Sequence, residues 1–187
     1  VAEMEDSDAD HLAYLRPKNE YYHARLLEAR LTVMYDPNGH HTGEVQWAKA
    51  IVRRFLYDLF DNLRTESLLT SNYTPIANAF QKVYREEKYH LWHGETWWKT
   101  LSNTSATART QLEAALTALW PDVLGLFEEA PGEALLQAEG IIASRTSELL
   151  QPWLEQIQPL FAQYNLPFPS SKVGDQWQLH VQPAYGG

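Results

Sequence analysis

Apolar residues recur at three- and four-residue steps along most of the chain, the period of an α-helix with one buried face. Val45, Ala48, Ile51, Val52, Phe55, Leu59 and Leu63 mark such a face and predict a helix from about Glu44 to Leu69. Ser71-Asn72 and Thr74-Pro75 supply a break and a restart, because proline is favoured in a first helical turn. The next predicted helix spans about Thr74 to Leu101, with Ile76, Phe80, Val83, Gly94, Trp98 and Leu101 on its apolar side. Ser102 to Ser105 then offers capping hydroxyls. A further helix follows from about Ala106 to Glu129, on Leu112, Ala115, Leu116, Leu119, Val123, Leu126 and Phe127, with Pro121 predicting a kink or two abutting helices. The last helical stretch covers about Glu133 to Tyr164, with interruptions expected near Pro152 and Pro159. Ahead of these lie two shorter helical segments, Glu3 to Leu15 and Lys18 to about Tyr35, and a turn at Asp36-Pro37-Asn38-Gly39.

From Leu166 onward prolines and glycines dominate, so 165–187 reads as an irregular tail. Trp177, Leu179 and Val181 alternate and allow one short extended segment there. Two adjacent helices of about 25 residues exceed the usual 10–14. They favour an all-α long-helix bundle in one domain, 1–187, over globin-like packing.

Composition narrows the chemistry. The 187 residues are 44% hydrophobic and 12% aromatic, which excludes a disordered chain. There is no cysteine. That removes disulfide scaffolds, thiolate metal sites and thiol nucleophiles. A formal net charge of −9 leaves no basic surplus for a general nucleic-acid partner. No apolar run reaches the roughly 20 residues that span a bilayer. No signal peptide is evident, and the expected location is cytoplasmic.

Candidate chemistry concentrates in Arg85-Glu86-Glu87-Lys88-Tyr89-His90-Leu91-Trp92-His93. At about 100° per residue, Glu87 and His90 share the stripe of Ile76, Phe80, Val83, Gly94 and Leu101. Glu86, Tyr89 and His93 occupy a neighbouring polar stripe. On the preceding helix, Asp58 interrupts the row of Ile51, Phe55 and Asn62, and an antiparallel neighbour brings it towards Glu87 and His90. Burying a carboxylate is costly unless it is paired or coordinated. Glu-x-x-His is a building block of di-iron sites in bundles, but a complete site takes two such motifs plus two further glutamates. The facing helix supplies no such motif, since Asp58-Leu59-Phe60-Asp61 has no histidine. From the residues alone, a structural polar cluster is favoured over a working dinuclear site. His40-His41 reads as a solvated turn. Trp92, Trp97 and Trp98 spread around their helix, so one helix cannot bury all three, and a subunit interface is the natural use for the remainder.

The run Arg85 to Leu91, with Trp97 and Leu101, resembles the structural, PaaC-type subunit of the phenylacetyl-CoA epoxidase (ring-1,2-oxygenase) family of phenylacetic acid degradation proteins. Asp10 to Arg16, Pro37-Asn38-Gly39, Arg54 to Asp58, Ala115-Leu116, Leu119-Trp120-Pro121, Leu126-Phe127 and Tyr185-Gly186-Gly187 are similar to family segments in the same order. The resemblance implies a ferritin-like bundle acting as a non-catalytic subunit of a multicomponent di-iron monooxygenase. It implies pairing with a homologous, PaaA-type catalytic chain that carries the di-iron centre, and with other subunits of the complex. The assembled enzyme epoxidises phenylacetyl-CoA during phenylacetate catabolism. On this reading the chain holds no cofactor, and Asp58, Glu87 and His90 are vestigial metal candidates.

Two departures stand out. The family has Asp-x-x-His where Asp58-x-x-Asp61 stands, and Ser102 to Ser105 replaces its Gly-rich turn. The family's N-terminal helices and last C-terminal helix have no counterpart in the chain, which suggests a trimmed or short member. The alternatives are a ferritin-like di-metal carboxylate oxidase in its own right and a homodimeric helical scaffold.

Overall fold

The computed structural model describes residue 17, residues 23–28 and residues 43–186, with side chains in the last stretch from residue 47 onward. The expected helix at Glu3–Leu15, most of the segment Lys18–Tyr35, the Asp36–Gly39 turn and His40-His41 lie outside the described residues. The architecture is an all-α helical bundle with one small hairpin. Its elements are α1 (Arg25–Glu28), α2 (Gly43–Leu69), α3 (Thr74–Asn103), α4 (Ala106–Leu124), α5 (Glu133–Ala138) and α6 (Leu150–Gln163), then β1 (Ser170–Val173) and β2 (Gln176–Leu179).

The long helices start and stop where local chemistry directs. Pro75 sits in the first turn of α3, where its missing N–H costs no hydrogen bond. At the other end, α3 runs two residues past Leu101. Ser102 and Asn103 donate from their side chains to the carbonyls of Trp98 and Lys99, one turn back, at 2.8 and 2.9 Å. Ser105 then caps α4, its hydroxyl accepting from the Ala108 amide at 3.1 Å.

Pro121 does not split α4. The helix continues to Leu124 and tightens into a 3-10 turn at Gly125–Phe127. The carbonyl of Pro121 accepts the Ala184 amide at 2.9 Å, so the C-terminal segment lies along this helix end.

The interruption of the following stretch falls elsewhere than expected. Pro152 occupies the first turn of α6, and Pro159 sits inside the same helix without ending it. The break comes at 139–145, where Gly140 takes a left-handed φ of +69° and separates α5 from a 3-10 turn at Thr146–Leu149. Ser67 of α2 anchors this loop. Its hydroxyl donates to the Ser144 carbonyl and accepts the Ser144 amide, at 3.1 and 2.9 Å.

The segment read as an irregular tail contains an antiparallel hairpin, with Ser170 opposite Leu179 and Val173 opposite Gln176. Gly174 has a left-handed φ of +61° in its two-residue turn. The hairpin is held on α6 by Gln151, whose side chain exchanges hydrogen bonds with the Trp177 backbone at 2.9 and 3.4 Å. Phe168 packs between Phe161 and Trp177, with ring centroids 5.0 and 5.3 Å away. Two strands form rather than one because a lone extended segment would leave its backbone groups without partners.

One contiguous apolar core joins α2, α4 and α6 with the C-terminal part of α3. Trp98, Trp120 and Trp153 are its largest fully buried side chains. The Trp153 indole donates to the Leu56 carbonyl of α2 at 3.3 Å, which fixes α6 against the middle of that helix. The N-terminal half of α3 extends beyond this core, and its apolar residues Ile76, Phe80 and Val83 are only half-buried.

Candidate functional site

The site begins with a glycine. Gly94 is buried where α3 crosses α2, and a Cβ there would lie 2.4 Å from Cδ2 of Phe55. The missing side chain lets the two helices approach closely. One turn beyond Phe55 on α2 stands Asp58, and about two turns before Gly94 on α3 stands Glu87. The close approach therefore brings two carboxylates into the same buried space. Asp58 is 1% exposed and Glu87 6%. His90, one turn after Glu87, reaches the same point from a more open position, with its side chain 46% exposed.

The structure brings Asp58, Glu87 and His90 together as the helical periodicity predicts. One donor atom from each lies within 4.8 Å of the others. Nδ1 of His90 is 3.2 Å from Oε1 of Glu87. Two oxygens have no hydrogen-bond partner among the described residues, Oδ1 of Asp58 and Oε2 of Glu87.

Arg54 is the residue that sequence reasoning missed here. Its Nε donates to Oδ2 of Asp58 at 2.9 Å and lies 2.8 Å from Oδ1, where the angle does not make a hydrogen bond. The signal is present in the sequence, because Arg54 precedes Asp58 by four residues and side chains at that spacing meet on a helix. Burial holds the Asp58 carboxyl above its ordinary 3.8, at about 6. The charge and hydrogen bond of Arg54 oppose that rise, as does His90, while Glu87 adds to it. The net direction shows that removal from water outweighs the local cations.

Asp61 does not join the cluster. It faces Arg64, which donates to it at 2.6 and 3.0 Å, and Tyr57, whose hydroxyl reaches it at 3.4 Å. The other stripe named from the sequence, Glu86, Tyr89 and His93, is exposed. There the Trp97 indole donates to Nε2 of His93 at 3.1 Å and packs edge-on against Trp47, with ring centroids 5.0 Å apart. The three tryptophans divide as the helix geometry requires: Trp98 is buried, Trp97 half-buried and Trp92 68% exposed.

A second recess lies between α1, α2 and the end of α4, where Arg64, Glu128, Glu133 and Thr146 contribute polar groups. Its carboxylates serve the backbone. Glu133 accepts from the amides of Ala130 and Thr146 at 2.9 and 2.6 Å, and Glu128 from that of Gly186 at 3.0 Å.

Two carboxylates and an imidazole are the donor types that bind iron, manganese or zinc. A di-iron centre of the bundle type asks for more: two Glu-x-x-His motifs and two additional glutamates. Among the described residues only these three donors converge, and one of them is already engaged by a guanidinium. The described residues by themselves do not complete a di-iron centre; Glu20, which with His23 makes a second Glu-x-x-His spacing, lies outside them.

A long-helix bundle in which two buried carboxylates and a more open histidine meet between two crossing helices defines the class: an all-α protein of ferritin-like type. Comparison with protein families makes this specific. The model of the phenylacetic acid catabolic protein family, which groups the PaaA and PaaC types, matches residues 1–182, and the chain belongs to that family. No curated protein matches it significantly. The family makes the chain a component of phenylacetate catabolism. Among the described residues no helix is long and apolar enough to cross a membrane.

Proposed function

We propose that the chain is the non-catalytic, PaaC-type subunit of a multicomponent di-iron monooxygenase that epoxidises phenylacetyl-CoA. In this reading it pairs in the cytoplasm with a homologous PaaA-type chain, which carries the iron and activates oxygen, and the other subunits assemble on that pair. The observation that carries the reading is the Arg54–Asp58 contact. A guanidinium 2.8 Å from a buried carboxylate supplies the positive charge that a metal would otherwise supply. It also opposes a second cation at the same oxygens by like-charge repulsion. The short donor set, with Asp61 turned to Arg64, points the same way.

Co-expression with the homologous family member from the same genome tests the assignment. The expected result is a stable heteromer in which iron follows the partner and the turnover of phenylacetyl-CoA needs both chains. Recovery of this chain only as a monomer, with the partner active alone, would count decisively against it.

A second reading is favoured by one specific observation: Oδ1 of Asp58 and Oε2 of Glu87 are buried without hydrogen-bond partners. Unpartnered carboxylate oxygens facing an imidazole suit a ferritin-like metal carboxylate oxidase acting through Asp58, Glu87 and His90. Metal analysis after anaerobic loading with Fe(II) separates the two. Stoichiometric iron that disappears in Glu87→Ala establishes the oxidase reading. Substoichiometric iron, unchanged by that substitution, excludes it.

A further inference from the structure

The outer face of α3 differs from the rest of the described surface. Lys82, Arg85, Lys88 and Lys99 are exposed, and none of them contacts a carboxylate among the described residues. Six of the other described cations, Arg25, Arg54, Arg64, Arg109, Arg145 and Lys172, each lie against an aspartate or glutamate. At about 100° per residue the four α3 cations fall on one stripe opposite Gly94 and Trp98, with Glu86 and Glu95 at its borders. Tyr89 and Trp92 stand on the same stripe, 75% and 68% exposed. They line a shallow recess with Arg85 and Lys88. An unpaired basic stripe is conspicuous on a chain of net charge −9.

Trp, Tyr and Arg are the residues most enriched among those that dominate protein interfaces, and here they lie within two helical turns. An exposed indole flanked by unpaired cations offers an apolar anchor and a ring of charge that sets orientation. The charge also selects the occupant. Two copies of this chain joined stripe to stripe would oppose like charges. A carboxylate-rich face meets no such penalty.

We propose that the α3 stripe of Lys82, Arg85, Lys88, Tyr89, Trp92 and Lys99 is the docking surface for the homologous partner chain, through an acidic helical face with a slot for the Trp92 indole. This rests on the proposed pairing with a PaaA-type chain and adds the surface that the pairing uses. Trp92 supplies the buried anchor, and Arg85 with Lys88 supplies the salt-dependent part of the affinity.

The test is sedimentation velocity and titration calorimetry of the full chain with the co-expressed homologous family member, at low and at high salt. Trp92→Ala should weaken the complex by at least about 30-fold, the loss expected of a dominant interface residue. The double charge reversal Arg85→Glu with Lys88→Glu should weaken it further at low salt and flatten its salt dependence. Lys49→Glu, a charge reversal away from the stripe, should leave binding unchanged. Trp92, Arg85 and Lys88 are exposed and Lys49 half-buried, and circular dichroism checks that the fold is kept. A wild-type complex that survives Trp92→Ala and the double reversal within about twofold overturns the docking surface while the partner assignment stands. A wild-type chain that binds no homologous member overturns both. A parallel arm uses a fluorescein-labelled single-stranded oligonucleotide, and another follows the chain alone. Oligonucleotide binding abolished by the double reversal overturns the protein-partner proposal in favour of nucleic acid. Self-association abolished by Trp92→Ala overturns it in favour of a second copy.

Discussion

Arg54 and Asp58 form an ion pair within a single turn of α2, the Arg54 Nε standing 2.8 Å from Oδ1 and 2.9 Å from Oδ2 of the aspartate. The pair is asymmetric. The carboxylate side chain is 1% exposed, whereas the arginine side chain is 52% exposed. The cation can therefore keep much of its hydration while the anion has lost nearly all of its own. Breaking such a pair from the exposed side strands a charge in the core. Arg54→Met should destabilise the fold by about 1–3 kcal/mol, below the 3–5 of a fully buried pair because solvent screens the guanidinium. Combining it with Asp58→Leu should recover most of that loss or exceed it, since an apolar pair needs no compensation. Urea unfolding of the two variants and the wild type measures both effects.

Asp58 should also give stability a pH dependence of definite sign. Its carboxyl ionises at about 6 in the fold against about 3.8 ordinarily, so the folded state holds a proton that the unfolded state has released. Its contribution is greatest below about pH 4. It declines as pH rises through about 4 to 6 and is then constant, for a total change of about 3 kcal/mol. Asp58→Asn removes this dependence. The stability difference between wild type and Asp58→Asn should therefore shift in favour of the variant between pH 4 and 7. A difference that stays flat over that range would show that the carboxylate is not desolvated as the burial indicates.

Gly94 is expected to tolerate no side chain. Alanine would place Cβ 2.4 Å from Cδ2 and 3.0 Å from Cβ of Phe55, which is itself only 2% exposed and cannot swing away. Alanine favours a helix over glycine by about 1 kcal/mol, while overpacking costs about 1–3. Gly94→Ala should thus be destabilising or at best neutral, and its effect should shrink in a Phe55→Leu background. Thermal melts of the double-mutant cycle report the coupling.

Gly125 makes a comparable prediction at the other end of the bundle. A Cβ there would sit 2.1 Å from the Ala184 carbonyl oxygen. Its φ of −65° is ordinary, so the obstacle is the C-terminal segment and not the backbone. Gly125→Ala should loosen residues 183–186 from α4 and speed their proteolysis. In a chain ending at Gln182 the same substitution should be harmless or slightly stabilising.

The outlines of α2, α3 and α4 were legible because long amphipathic periods, Pro75 and Ser105 are local signals, and so was the convergence of Asp58, Glu87 and His90. The breaks after α4 fall elsewhere because Pro152 starts α6 and does not end a helix, Pro159 is accommodated inside it, and the left-handed turn at Gly140 is what separates α5 from the next turn. The hairpin at 170–179 was half visible in the alternation of Trp177, Leu179 and Val181. Its partner strand, Ser170-Ser171-Lys172-Val173, has little pattern of its own and takes its form from the opposing backbone and from Gln151 of α6.

The sequence by itself determined the apolar face of each long helix, and that Asp58 interrupts one such face while Glu87 and His90 share another, since helical pitch alone settles both. Only the tertiary structure decided what the cluster is. The guanidinium on Asp58, the turn of Asp61 towards Arg64 and the close crossing at Gly94 depend on how two helices approach, and distance and desolvation then govern the charges. It also decided which tryptophan remained outside. Core volume accepts Trp98 and half of Trp97, while Trp92, on the opposite side of the same helix, is left exposed among unpaired cations.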